Sequence, residues 1–147
     1  MRDRRCFIQH FTAMLAICAT LFFAFVYGLP QKIWQTDVSK MTSLLAALLV
    51  GSSFYLGWLA WNLSPSTAAS IEKKADFGWW IEEKFLRLGL LGTVFGLSLQ
   101  AETLATGTVG FAPISTAFYS TMVGVTCSLI IAFMNRNLQT GIERVNA

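Results

Sequence analysis

Long uncharged runs alternate with short polar stretches along this chain. Apolar residues dominate positions 11–29, 41–61, 81–101 and 114–134. The first, second and fourth runs contain no Asp, Glu, Lys or Arg, and the third carries Glu82, Glu83, Lys84 and Arg87 near its start. Each run is close to the roughly 20 residues that cross hydrocarbon as a helix. Turn signals punctuate them: Gly28-Leu29-Pro30 after the first, Asn62-Leu63-Ser64-Pro65 after the second, and Pro113 where a first helical turn tolerates it before the fourth. The pattern predicts an all-α integral membrane protein, a single membrane domain over 1–147 with four transmembrane helices. Residues 31–40 and 102–113 form short connections on one side. Residues 64–80, with Glu72, Lys73, Lys74 and Asp76, form a cytoplasmic connection that continues span two or leads into span three as an interfacial helix. Arg2, Arg4 and Arg5 resemble the start of a secretory signal. The run behind them is longer than the roughly 7–15 residues of such signals and no small-x-small site closes it, so a retained helix is expected.

Within the third run, GLLGTVFGLSLQ spaces Gly89, Gly92 and Gly96 three and four apart, with Thr93 and Gln100 near the same stripe. In lipid, helices associate through close packing, and small residues permit it. The fourth run offers a matching stripe: Ala117, Thr121, Gly124 and Ser128, flanked by Ser120 and Cys127, with Phe118, Met122, Val125, Leu129 and Phe133 on the opposite side. Spans one and two lack so clear a division. Their Phe22, Phe23, Phe25, Leu44, Leu45, Leu48 and Leu49 read as an outer, lipid-facing layer. Hydroxyls at Thr93, Thr121, Thr126 and Ser128 have two readings. Each can bond the carbonyl three or four residues back on its own helix, or some can face a narrow polar path or a partner helix. Thr93 and Thr121, inside the small stripes, are the candidates for the second.

Composition agrees with a membrane location: 54% of the 147 residues are hydrophobic, only 13% are charged, and the mean hydropathy is +0.55. Cations set the orientation. With the N-terminus inside, Arg2, Arg4, Arg5, Lys73, Lys74, Lys84, Arg87, Arg136 and Arg144 are cytoplasmic, against Lys32 and Lys40 outside. Nine against two is a positive-inside bias that places both termini in the cytoplasm. Trp34, Trp58, Trp61, Trp79 and Trp80 fall near predicted interfaces. The net charge of +3 is small and dispersed, which argues against a nucleic-acid partner. Cys6, Cys18 and Cys127 form no close pair and read as free thiols; with His10, an interfacial and solvated residue on this reading, they supply too few ligands for a metal. No nucleophile–base pair, phosphate loop or cofactor motif appears, so no enzyme activity and no cofactor are expected. No Asp, Glu, His, Lys or Arg lies in the middle of any span, and a self-contained proton transporter usually keeps one there. Any proton carrier would then come from another polypeptide.

LGLLGTVFGL, starting at Leu88, resembles the LGLLGTVxGI signature of the MotA/TolQ/ExbB proton channel family. AFYSTMVGVTCSLIIAFMNRN, starting at Ala117, resembles that family's last-helix motif, with Ala117, Thr121, Gly124 and Asn135 at matching positions. The resemblance covers about the C-terminal sixty residues, and the four-span layout is similar to the MotA branch. It implies a ring of subunits, a homo-oligomer of five, in a bacterial cell inner membrane. The ring surrounds a single-span partner dimer of the MotB/ExbD/TolR kind, whose Asp carries the proton while ion flow drives mechanical work. Thr93 and Thr121 match threonines that face the central helices, and the small stripes would let the ring close around the partner. Ser128 and Gln100 join them as candidate ion-path residues. Hydroxyl groups suit protons and sodium alike. Ile130 stands where the family usually has proline, and Thr116 where it is often acidic, so those roles do not carry over. Glu102 and Gln100 are the nearby polar groups at the outer mouth. The connection of about twenty residues is much shorter than the cytoplasmic module through which MotA touches the flagellar rotor. A second reading has the chain as a non-conducting structural membrane subunit that scaffolds partner helices.

Overall fold

A computed structural model of the chain describes residues 4–28, 31, 35, 40–107 and 112–146. Four long helices make up nearly all of these, and there is no strand among them. They are α1 (Arg4–Val26), α2 (Met41–Trp61), α3 (Ala68–Ala105) and α4 (Ala112–Asn146). Three of them, α2, α3 and α4, are long and apolar enough to cross a membrane. The outer-side connection with Lys32 and Trp34 lies outside the described residues, as does Arg2.

Local chemistry explains each helix end. Asn62 to Thr67 forms the α2–α3 turn, because Pro65 disfavours a helical conformation at the residue before it. There the Thr67 hydroxyl donates to Asn62 O (2.8 Å) and accepts from the Ser64 N–H (3.0 Å). Gly107, at φ +74°, closes α3 in the left-handed conformation that favours glycine. Pro113 sits in the first turn of α4. Residues 68–80, expected to continue span two or to lead into span three as a helix, do the latter: they are the first turns of α3, which runs unbroken for 38 residues. The 114–134 span likewise continues to Asn146.

The helices run alternately up and down. Phe7 of α1 meets Trp61 of α2 edge-on at 4.6 Å, and Tyr55 of α2 meets Phe77 of α3 edge-on at 5.1 Å. The Cys6 thiol reaches Asn137 O (3.5 Å), so the start of α1 and the end of α4 share one end of the bundle. Exposed Trp58, Trp61, Trp79 and Trp80 gather toward that end, with Lys74 Nζ 5.7 Å from the Trp58 ring and Lys84 Nζ 5.1 Å from the Trp80 ring.

Packing is uneven. The pair α3–α4 is by far the most extensive, α2 packs on both, and among the described residues α1 touches α2 and α4 but not α3. Leu45, Leu56, Leu59, Phe85, Ile131 and Met134 are enclosed in the core. Leu45 and Leu49, read from the sequence as lipid-facing, belong to that core, whereas Leu44 is exposed. Helix periodicity explains the difference: positions 45, 49, 52, 56 and 59 share the stripe of α2 that faces its neighbours. The side chains of Phe22, Phe23 and Phe25 lie outside the described residues. His10 is a further correction. It is buried, with Nε2 3.3 Å from Ser53 O, because Gly57 of α2 leaves room for its ring.

A Cβ on Gly89 would lie 3.1 Å from both Gly124 Cα and Ser120 O, whereas a Cβ on Gly51 meets nothing within 4 Å. Gly89→Val is therefore expected to lower stability by about 2–3 kcal/mol through overpacking. Gly51→Ala should be neutral or stabilising by up to about 1 kcal/mol. Reversible unfolding in mixed micelles checks both.

Candidate functional site: the seam between α3 and α4

The two small-residue stripes meet each other within one chain. Gly89 faces Gly124, Gly92 faces Ser120, and Gly96 faces Pro113 and Ala117. A Cβ on Gly124 would come 2.7 Å from Gly89 Cα and 2.8 Å from Phe85 O, so the two backbones are in direct contact there. All three α3 glycines are buried, as are Ala117, Ser120, Gly124 and Ser128. Within the chain the stripes serve the packing of α3 on α4. Packing of α3 on α4 consumes them, so the glycines have no face left for a foreign helix. Phe118, Met122, Val125, Leu129 and Phe133 are exposed on the far side of α4.

Two hydroxyls stand at the edge of this contact, both half-buried. Thr93 and Thr121 are hydrogen-bonded to each other across the helices. Each also reaches a carbonyl one turn back on its own helix: Thr93 Oγ1 to Gly89 O (3.1 Å) and Thr121 Oγ1 to Ala117 O (3.0 Å). Thr93 is also 3.4 Å from Ala117 O. Both readings of these hydroxyls hold at once here. Each hydroxyl has one proton to donate, so the pair has two arrangements. Either Thr93 donates to Thr121, which donates to Ala117 O, or Thr121 donates to Thr93, which donates to Gly89 O. A group of this kind can pass a hydrogen-bond polarity along the seam without moving a backbone atom. Thr126, by contrast, is exposed and bonds only Met122 O (2.8 Å), which assigns it to its own helix. Gln100 lies farther along the Thr93 stripe, and its Oε1 is enclosed with no hydrogen-bond partner among the described residues.

Toward the other end, Asn135 of α4 is completely buried against Gly78 of α3. Its amide is satisfied when Nδ2 donates to Ala75 O (3.3 Å) and Oδ1 accepts from Trp79 Nε1–H (3.1 Å). The motif comparison matched this position but gave it no role. Its signal is the buried polar group itself, which needs partners to be tolerated.

The register of the helices also sets what lies beside the charged start of α3. Ala47, Leu48, Gly51, Ser52 and Tyr55 line one cleft of about 450 Å³ with Phe77 and Ile81. Ile81 therefore stands beside the middle of α2. Gly78 faces Asn135 and Gly89 faces Gly124, which brackets position 82 opposite the last uncharged turns of α4. The charged segment Glu82, Glu83, Lys84 and Arg87 is thus packed beside uncharged stretches of α2 and α4. Glu83 and Arg87 pair across one turn, both exposed. Cys6, Cys18 and Cys127 are free thiols, and no group of three or more His, Cys, Asp and Glu that could hold a metal occurs among the described residues.

Comparison with protein-family models, with curated proteins and with solved structures finds no match to this chain. The functional reading therefore stands on the motif residues and the geometry.

Gly78→Ala would drive a Cβ to 2.5 Å from the Asn135 side-chain amide and is expected to destabilise the bundle by about 2 kcal/mol. In an Asn135→Ala background the same change should be close to harmless. A double-mutant cycle on reversible unfolding should give a coupling of about 1 kcal/mol or more between the two sites; additive effects would contradict the contact.

Proposed function

We propose that this chain is the ring-forming subunit of a proton-driven motor or energiser of the MotA/TolQ/ExbB type in a bacterial inner membrane. α1, α2, α3 and α4 cross the bilayer with both termini cytoplasmic, and several copies, five by the resemblance, enclose a single-span partner dimer. The partner's Asp carries the proton, and ion flow is converted to movement of the partner. The observation that carries this reading is the Thr93–Thr121 hydroxyl pair. It bridges the two closest-packed helices at two motif positions. It also lies on the α3–α4 pair, where α1 makes no contact with α3. In a ring, α1 and α2 form the outer wall and the α3–α4 seam turns inward. The glycines contribute by making α3 and α4 one rigid unit, and the threonines by presenting hydroxyls to the passing ion.

A second reading is supported by the same hydrogen bonds. Both threonines serve carbonyls of their own helices, as they would in a structural membrane subunit that holds partner helices and conducts nothing. Proton flux separates the two. The chain is reconstituted in dye-loaded liposomes with the Asp-bearing single-span protein that copurifies with it, and flux is driven by a potassium diffusion potential. Thr93→Ala with Thr121→Ala is expected to cut partner-dependent flux roughly tenfold or more, equivalent to about 1.4 kcal/mol at the barrier, without loss of assembly. Full flux in the double variant excludes the hydroxyls from the path, and no flux in the unaltered protein favours the structural subunit.

A further inference from the structure

The cleft between α2 and α3 is apolar along its length and cationic at its rim. On α2 it runs from Ala47 to Tyr55, about 12 Å at 1.5 Å per residue. Gly51 opens it, because a Cβ added there meets nothing within 4 Å. Tyr55 and Phe77, packed edge-on, close it toward the end where the tryptophans gather.

Helix phase separates the charges at the start of α3. At about 100° per residue, Lys73, Lys74 and Lys84 all fall within about 60° of Phe77, on the side that borders the cleft. Glu72, Asp76, Glu82 and Glu83 all lie about 100° or more away from it. α2 adds no charge of either sign. None of the three lysines has a carboxylate within ion-pair distance among the described residues, and Glu83 pairs with Arg87 instead. Two of the ammonium groups rest on indoles: Lys74 Nζ is 5.7 Å from the Trp58 ring and Lys84 Nζ is 5.1 Å from the Trp80 ring. Trp58 lies 6.3 Å from Tyr55, and Trp80 stacks on Phe77 at 5.7 Å. Four rings therefore run from one ammonium group, across the end of the cleft, to the other.

This combination selects among occupants. A bare hydrocarbon chain would fit the apolar walls and leave the cations unanswered. A helix of a second copy would cover unpaired ammonium groups, and burying an unpaired charge is costly. A molecule with an apolar tail and an anionic head satisfies both parts, and indole and phenol rings suit the level where tail meets head. We propose that the α2–α3 cleft binds an anionic phospholipid, with an acyl chain lying over Gly51 and the phosphate at Lys74 beside Trp58. Lys73 and Lys84 add positive potential at the same rim. The site needs only a membrane around α2 and α3. It does not depend on a ring, a partner or ion flow.

The test uses the full chain purified in neutral detergent. Phosphatidylglycerol and phosphatidylcholine with identical acyl chains are added, and the complexes that survive are counted by native mass spectrometry. Phosphatidylglycerol is expected to be retained with a preference of about tenfold or more, in keeping with the attraction of two lysines for an anionic lipid. Excess inorganic phosphate should not displace it. Gly51→Leu fills the cleft without changing charge and should weaken retention of both lipids by about fivefold or more. Lys74→Gln with Lys84→Gln should abolish the preference and leave phosphatidylcholine retention unchanged. Circular dichroism of all variants should match the unaltered chain. Equal retention of the two lipids by the unaltered chain would overturn the proposal, as would phosphatidylglycerol retention indifferent to Gly51→Leu. A dimer that Gly51→Leu dissociates would give the cleft to a second copy and overturn it as well.

Discussion

The approach of two backbones at Gly89 and Gly124 decides how the rest of this bundle is arranged. Lipid gives two apolar helices little reason to associate, so close van der Waals packing has to supply it. A Cβ on either glycine would intrude on the other helix's backbone, so this contact exists only while both positions lack a side chain. Once α3 and α4 are fixed at that distance, Gly92 must receive Ser120 and Gly96 must receive Ala117. The register of 35 or more residues follows from three glycines.

That register has consequences for polar groups that no helix would show alone. It joins the Thr93 and Thr121 hydroxyls and buries Asn135 against Gly78. It also draws the start of α3, which is rich in charge, alongside uncharged stretches of its neighbours. A helix offset of this kind leaves charged side chains two ways to be accommodated: pair with each other, as Glu83 and Arg87 do, or face a polar seam.

Much of this was legible in the sequence, and particular residues show where legibility stopped. Glycine spacing on α3 and the small stripe on α4 announced two faces made for close packing. What they could not announce was that each is the other's partner, because a stripe records how near a neighbour comes and not which neighbour it is. Leu45 and Leu49 were misread for a related reason. In a membrane both the core and the lipid-facing surface are apolar, so leucine carries no sign of which side it occupies. His10 was misread because charge near a chain end suggests water, whereas Gly57, forty-seven residues later, provides its pocket.

The central claim is that the α3–α4 pair forms the inner wall of a ring and α1 with α2 the outer one. Cryo-electron microscopy of the protein drawn from its native membrane into lipid nanodiscs, together with whatever copurifies, tests this most directly. The account predicts several copies around central density, five by the resemblance, with Thr93 and Thr121 turned toward the axis. A monomer, or a ring whose Thr93 and Thr121 face acyl chains, would contradict it.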